Sequence, residues 1–250
     1  MGTSRIVIVT GAESGIGAAC AMALAAGGDR VVLFYHNDPG TTSADILAQG
    51  GDAIEVRCAV DDVASVDAAF ATVEQKLGPA KALVHSAGIN MAGVMVRDMP
   101  VETWTRMIAT DLTGAFLVSR RFLQACPGPG AIVHLSSIHA EAVRAGGADY
   151  CSAKGGLTNL VRTLAIEEAP RGIRVNAVAP GMILTPMNDR AVHDAGYRAS
   201  LEANIPLGRA GRPEEVAGLV QWLASDAAAY VTGATFTIDG GLSLLQGLGA

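Results

Sequence analysis

The chain has 250 residues, 50% of them hydrophobic and only 17% charged, which is enough apolar surface to bury one large α/β core or two small ones. A net charge of −6 with no basic cluster argues against a nucleic-acid or anionic-membrane partner. The four cysteines, Cys20, Cys58, Cys126 and Cys151, form no Cys-x-x-Cys pair and have no histidine at ligand spacing, so neither a metal site nor a disulfide framework is expected.

Arg5 to Thr10 is too short for a signal peptide and runs straight into a glycine-rich turn, so it reads as a first strand. With no export signal and no long apolar stretch, the expected location is the cytoplasm, with no membrane partner. Strand-like and helix-like segments then alternate. Ile6–Val9 is followed by a helix at about 15–27, Arg30–Tyr35 by one at 41–50, and Ala53–Arg57 by one at 62–77. Ala82–His85 precedes a long helix at 101–125, Ala131–Leu135 one at 149–169, Arg174–Val178 one at 213–225, and Ala234–Ile238 comes last. Several strands are unbroken apolar runs, such as Ile6-Val7-Ile8-Val9, the mark of strands covered on both faces. Gly78-Pro79 and Pro127-Gly128-Pro129-Gly130 stop two helices, and Pro213 with Glu214 and Glu215 opens another.

This alternation predicts an α/β fold of Rossmann type: a doubly wound, seven-stranded parallel sheet with helices on both faces. No linker divides the chain, so residues 1–250 are expected to form a single domain. The irregular stretch at about 181–212 is too long for an ordinary connection and reads as a substrate loop containing small helical pieces.

Thr10-Gly11-Ala12-Glu13-Ser14-Gly15-Ile16-Gly17 joins the first strand to the first helix. Glycines there let the backbone approach a pyrophosphate, and the helix N-terminus offers free N–H groups, so the turn predicts dinucleotide binding. Tyr150 and Lys154 are four residues apart and share one helix face, and Ser137 ends the run Ile132–Ser137 at a strand's C-terminal edge. A free phenol holds its proton at neutral pH, and a neighbouring ammonium favours its release. Tyr150 can then exchange a proton with an alcohol or ketone while Ser137 holds the reacting oxygen. A Tyr-x-x-x-Lys pair alone is weak evidence; the serine and the glycine turn make it specific.

Together with Ala87-Gly88, Leu112-Thr113-Gly114, Arg174-Val175-Asn176, Pro180-Gly181 and Tyr230–Gly233, these motifs resemble the short-chain dehydrogenase/reductase family over nearly the whole chain. The resemblance implies an NAD(P)-dependent oxidoreductase that interconverts a secondary alcohol and a carbonyl. Ser137, Tyr150 and Lys154 would be catalytic, with Asp111 in the place where the family usually has an asparagine. Cofactor contacts would come from Gly11, Ser14, Gly15, Ile16 and Gly17, then Tyr35 and His36, Val60, Ala87 and Gly88. Tyr150 and Lys154 would also reach the cofactor, and Pro180, Gly181, Ile183 and Thr185 would border its nicotinamide. Asn176 is expected to be structural.

Departures from the family pattern are His85-Ser86 in place of two asparagines, Asp111, and Ala59 where an acidic residue usually meets adenine; Val60 and Asp61 or Asp62 stand nearby. Tyr35 takes the acidic position that selects NAD, and Ser14, His36 and Asn37 could hydrogen-bond a phosphate, so the reading leans to NADP with dual use open. The segment Ser136–His139 looks most like glucose 1-dehydrogenases, which implies a sugar, polyol or small ketone substrate held by Ser137, Tyr150, His139 and Asn90, with Glu141 and Asn188 as lesser candidates. Reduction of 3-oxoacyl thioesters is the alternative, and a catalytically silent nucleotide sensor, favoured only by Asp111, is the alternative of another class. By the same resemblance the helices at 101–125 and 149–169, and a second face with Trp222 and Phe236, would build a homotetramer. The apolar tail from Leu242 to Leu248 is expected to dock on the body or a neighbour.

Overall fold

The computed structural model describes residues 4–245; Leu248, at the end of the expected docking tail, lies outside them. The strands are β1 (Ile6–Thr10), β2 (Arg30–Tyr35), β3 (Asp52–Arg57), β4 (Ala82–His85), β5 (Gly130–Leu135), β6 (Ile173–Pro180) and β7 (Thr235–Ile238). They form one seven-stranded sheet in the order β3-β2-β1-β4-β5-β6-β7. Every pairing is parallel. This is the doubly wound Rossmann-type sheet that the alternation implied, and the order reverses between β1 and β4, where such sheets bind ligands.

Alternate strand residues feed two cores, because successive side chains leave a strand on opposite faces. Val7, Val9, Val31, Leu33 and Val133 pack beneath α1 (Gly15–Ala26) and α9 (Pro213–Ala224). Ile8, Val32, Phe34, Leu83 and Ile132 pack beneath α3 (Val63–Leu77), α5 (Gly114–Ala125) and α6 (Ala148–Glu168). Between them in chain order lie α2 (Thr42–Ala48), α4 (Val101–Met107), α7 (Asp189–His193) and α8 (Ala195–Glu202).

The single helix expected at 101–125 is divided. A π-helical stretch, Ile108–Thr113, separates α4 from α5. The wider turn lets Asp111 leave the regular helical path and face inward, and such bulges gather at functional sites. Of the apolar residues read as surplus on this segment, Met107, Leu117 and Phe122 belong to the monomer core, whereas Trp104 and Phe116 remain exposed. The segment at 181–212 carries α7 and α8, as the small helical pieces expected there. Asn176 is structural: its Nδ2 donates to the Val231 carbonyl at 2.8 Å and its Oδ1 accepts from Ala234 N–H at 3.1 Å. Among the described residues no helix is long and apolar enough to cross a membrane.

Candidate active site

A cavity of about 960 Å³ runs along the C-terminal edge of the strands, from the glycine turn past Ser137 and Tyr150 to α8. The turn is built without side chains for steric reasons. Gly11 has φ +64°, and a Cβ there would lie 2.9 Å from Ala87 Cα. A Cβ on Gly17 would lie 2.0 Å from the Gly11 carbonyl oxygen. Ser14, at the N-cap of α1, makes no side-chain capping bond, so the first N–H groups of the helix stay available. Gly88 is constrained in the same way, since its Cβ would meet Asp111 Oδ2 at 2.8 Å. This bare cradle at a helix N-terminus, opening on a cavity of that length, fits a dinucleotide.

At the other end, α6 carries Tyr150 and Lys154 one turn apart, and Ser137 caps the short helical turn that follows β5. Lys154 and Ser137 are buried and Tyr150 half-buried. Lys154 Nζ donates to the Leu135 carbonyl at 3.1 Å and lies 3.1 Å from Asp111 Oδ2. That ion pair approaches off the hydrogen-bond axis, for Oδ2 has no hydrogen-bond partner. Asp111 Oδ1 accepts from Ile89 N–H at 2.8 Å, which ties the loop after β4 to the π-helical turn. Burial alone would lower the Lys154 ammonium's pKa; the Asp111 carboxylate and Tyr150 outweigh it and hold it above the ordinary lysine value. Nζ sits 5.4 Å from the centre of the Tyr150 ring. The His139 ring packs edge-on to Tyr150 at 6.3 Å and is held by its Nδ1 at 2.7 Å from the Ala142 carbonyl.

Beneath this site sit His85 and His134, opposite each other on β4 and β5, with ring centres 5.5 Å apart. Thr10 Oγ1 accepts from the N–H groups of Ser86 and Ala87, each at 3.1 Å, so its own proton goes to His85 Nδ1, 3.0 Å away. His134 Nε2 pairs with Ser119 Oγ at 3.1 Å. Burial, with the neighbouring His134 and Lys154, pushes His85 well below the ordinary histidine value. Burial, then Lys154, pushes His134 down to about 3.

Most residues singled out from the sequence line the one cavity. Gly11, Ser14, Gly15, Ile16, Gly17, His36, Val60, Ala87 and Gly88 do so, and so do Pro180, Gly181, Ile183 and Thr185. Asp111, Ser137, His139, Tyr150, Lys154, Asn90 and Asn188 line it as well. Tyr35, Asn37 and Glu141 do not. Of the two aspartates after β3, Asp61 lines the cavity, while Asp62 caps α3 by accepting from Ser65 N–H at 3.0 Å. Asn90 spends its amide on the loop, its Nδ2 donating to the Met187 carbonyl at 3.2 Å. Sequence reasoning missed Glu13, Arg144, Tyr197, Leu201 and Asn204, which also face the cavity. Glu13 could have been found, as an acid inside the glycine turn; Tyr197, Leu201 and Asn204 reach the site only through the packing of the long loop, and Arg144 through the connection that leads into α6.

A family model described as enoyl-(acyl carrier protein) reductase matches residues 11–243. The 3beta-hydroxysteroid dehydrogenase 1 of Eggerthella lenta is 41% identical, covering 97% of this chain and 95% of that one. The chain belongs to the short-chain dehydrogenase/reductase family, and it is an oxidoreductase of the kind that acts on CH–OH groups. Glucose 1-dehydrogenase 2 of Bacillus subtilis is 36% identical over 97% of this chain and 96% of its own. Among solved structures, a single-site variant of actinorhodin polyketide ketoreductase with NADPH superposes at a TM-score of 0.91, with 32% identity, over 96% of this chain and 97% of that one.

Proposed function

We propose that the protein interconverts a secondary alcohol and a carbonyl on a sugar, polyol or small ketone, using a nicotinamide dinucleotide. One observation carries the reading: Ser137, Tyr150, Lys154 and the glycine turn open on a single cavity. The whole described chain acts as one dinucleotide-binding and catalytic domain, with the 181–212 segment as its substrate loop.

A bound nicotinamide ring supplies or takes the hydride. In the oxidising direction Tyr150, as phenolate, takes the hydroxyl proton while the carbinol hydrogen leaves as hydride; reduction runs the same steps backward. Ser137 Oγ donates to the reacting oxygen and fixes its position. Lys154 supports the phenolate electrostatically, and Asp111 keeps that lysine charged in a buried place. Polar groups at the substrate end, His139, Asn188, Asn204 and Arg144, suit a substrate with several oxygens, and the likeness to a glucose 1-dehydrogenase points the same way. The test is a panel of sugars, polyols and secondary alcohols with either oxidised cofactor, and of ketones and 3-oxoacyl thioesters with either reduced one, followed by nicotinamide absorbance. Preference for 3-oxoacyl thioesters would replace the sugar reading, and binding without turnover across the panel would favour a silent sensor.

A homotetramer is proposed on the exposed aromatic groups of two faces. Trp104 and Phe116 lie on α4 and α5, and Trp222 stacks edge-on against Phe236 at 5.9 Å. Sedimentation of the wild type against Phe116→Asp tests the first face.

A further inference from the structure

The acid that usually selects the adenosine ribose at the end of β2 is missing here, and Tyr35 in its place stays outside the cavity. The glycine turn carries a carboxylate, Glu13, next to the end of β2. Ala12 N–H donates to the Phe34 carbonyl at 3.3 Å, which sets turn residue 13 beside the end of β2. Glu13 lines the cavity with Ser14 and His36. Its Oε2 is shut off from solvent and has no hydrogen-bond partner. Its backbone is wedged: Gly40, at φ +66°, packs so closely that a Cβ there would lie 2.7 Å from the Glu13 carbonyl oxygen. Arg57, the cation at the end of β3, is exposed, lies outside the cavity lining and gives its Nε to the His36 carbonyl at 3.0 Å.

A carboxylate with one oxygen desolvated and unpartnered is held unfavourably, and a turn of the Glu13 side chain toward the cavity it lines brings that oxygen within reach of a ligand's donors. A ribose diol brings two hydroxyl donors. A ribose 2′-phosphate brings up to about two negative charges to the same place, which a carboxylate there repels.

We infer that Glu13 selects the cofactor, accepting hydrogen bonds from the adenosine-ribose hydroxyls of NAD and repelling the 2′-phosphate of NADP. The inference rests on the nicotinamide reading of the site and reverses the lean toward NADP that Ser14, His36 and Asn37 suggest by themselves. It moves the selecting acid from the second strand to the phosphate-binding turn.

The experiment is a calorimetric titration of the full chain with NAD and with NADP, no substrate present, for the wild type, Glu13→Gln and Glu13→Ser. Wild type is expected to bind NAD at least about tenfold more tightly, and the ratio is expected to fall to within about threefold in both variants. The wild-type preference should shrink as salt is raised. Thermal unfolding checks that each variant folds; the isosteric Glu13→Gln carries the comparison if Glu13→Ser does not. Equal or tighter binding of NADP by the wild type overturns the proposal, as does a ratio that the variants leave unchanged. Binding of neither dinucleotide overturns the nicotinamide reading itself, and the selection with it.

Discussion

Two buried polar clusters lie close together under the active site, and they meet burial in opposite ways. Lys154 keeps its charge, because the Asp111 carboxylate faces it at 3.1 Å. His85 and His134, equally buried, have only a hydroxyl each and one another, and both are pushed toward the neutral form. Burial penalises the charged form in both places; an opposite charge at contact distance decides which cluster ionises. The charged pair adjoins Tyr150, the proposed proton carrier, with Lys154 Nζ 5.4 Å from the centre of its ring. The neutral pair joins β4 to β5 and holds Thr10 and the Ala87-Gly88 turn in place.

The largest effect should come from breaking the charged pair. Asp111→Leu strands the Lys154 ammonium in the core and is expected to cost about 3–5 kcal/mol in chemical denaturation. The double variant Asp111→Leu/Lys154→Met should recover most of that stability while turnover stays lost. If the single variant is nearly as stable as the wild type, the pair is not the charged unit described here.

The neutral pair should appear as acid sensitivity. Both histidines titrate lower in the folded than in the unfolded chain, where the value is near ~6.5. Their neutral state therefore adds no penalty above that pH. Below it the unfolded chain takes up protons that the folded one refuses, down to about 3 for His134. Stability should fall by about 1.4 kcal/mol per pH unit for each histidine in that window. His134→Phe, measured by urea denaturation from pH 7 to 4, should remove one histidine's share of the slope; an unchanged slope would contradict the assignment.

Asp111→Asn perturbs the charged pair more gently. It restores the residue usual in the family and removes one negative charge from beside Lys154. The ammonium's field on Tyr150 then rises, and alcohol oxidation below neutral pH should lose less of its rate than in the wild type. The smallest effect is reserved for an exposed pair. Arg209 holds the Glu215 carboxylate at 2.7 Å at the surface, and Glu215→Gln, which keeps an acceptor for the Arg212 N–H that caps α9, should leave the denaturation midpoint nearly unchanged.

How much of this was legible in the sequence depended on the range of the forces involved. The strands were readable because continuous apolar runs such as Ile6–Val9 report burial on both faces. Tyr150, Lys154 and Ser137 were readable because i, i+4 spacing and a strand end place them with little help from elsewhere. The π-helical turn was not, since nothing in Ile108–Thr113 marks where the helical path widens; it is seen only once Asp111 is found facing Lys154 and Ile89 across the fold. Nor was the substrate end: Tyr197 and Leu201 on α8, and Asn204 just after it, reach the cavity by a placement that depends on long-range packing. Glu13 was written in plain view but hidden by the glycines around it, whose pattern explains the turn without it.

Tyr150 is assigned the proton transfer, within a site proposed to bind its cofactor independently of that proton. The direct measurement is single-turnover hydride transfer by wild type and Tyr150→Phe on the best substrate of the panel, with cofactor affinity measured in parallel. The expected result is a rate lower by about 10²–10⁴ with affinity for the dinucleotide little changed. Transfer at the wild-type rate by Tyr150→Phe would contradict the assignment.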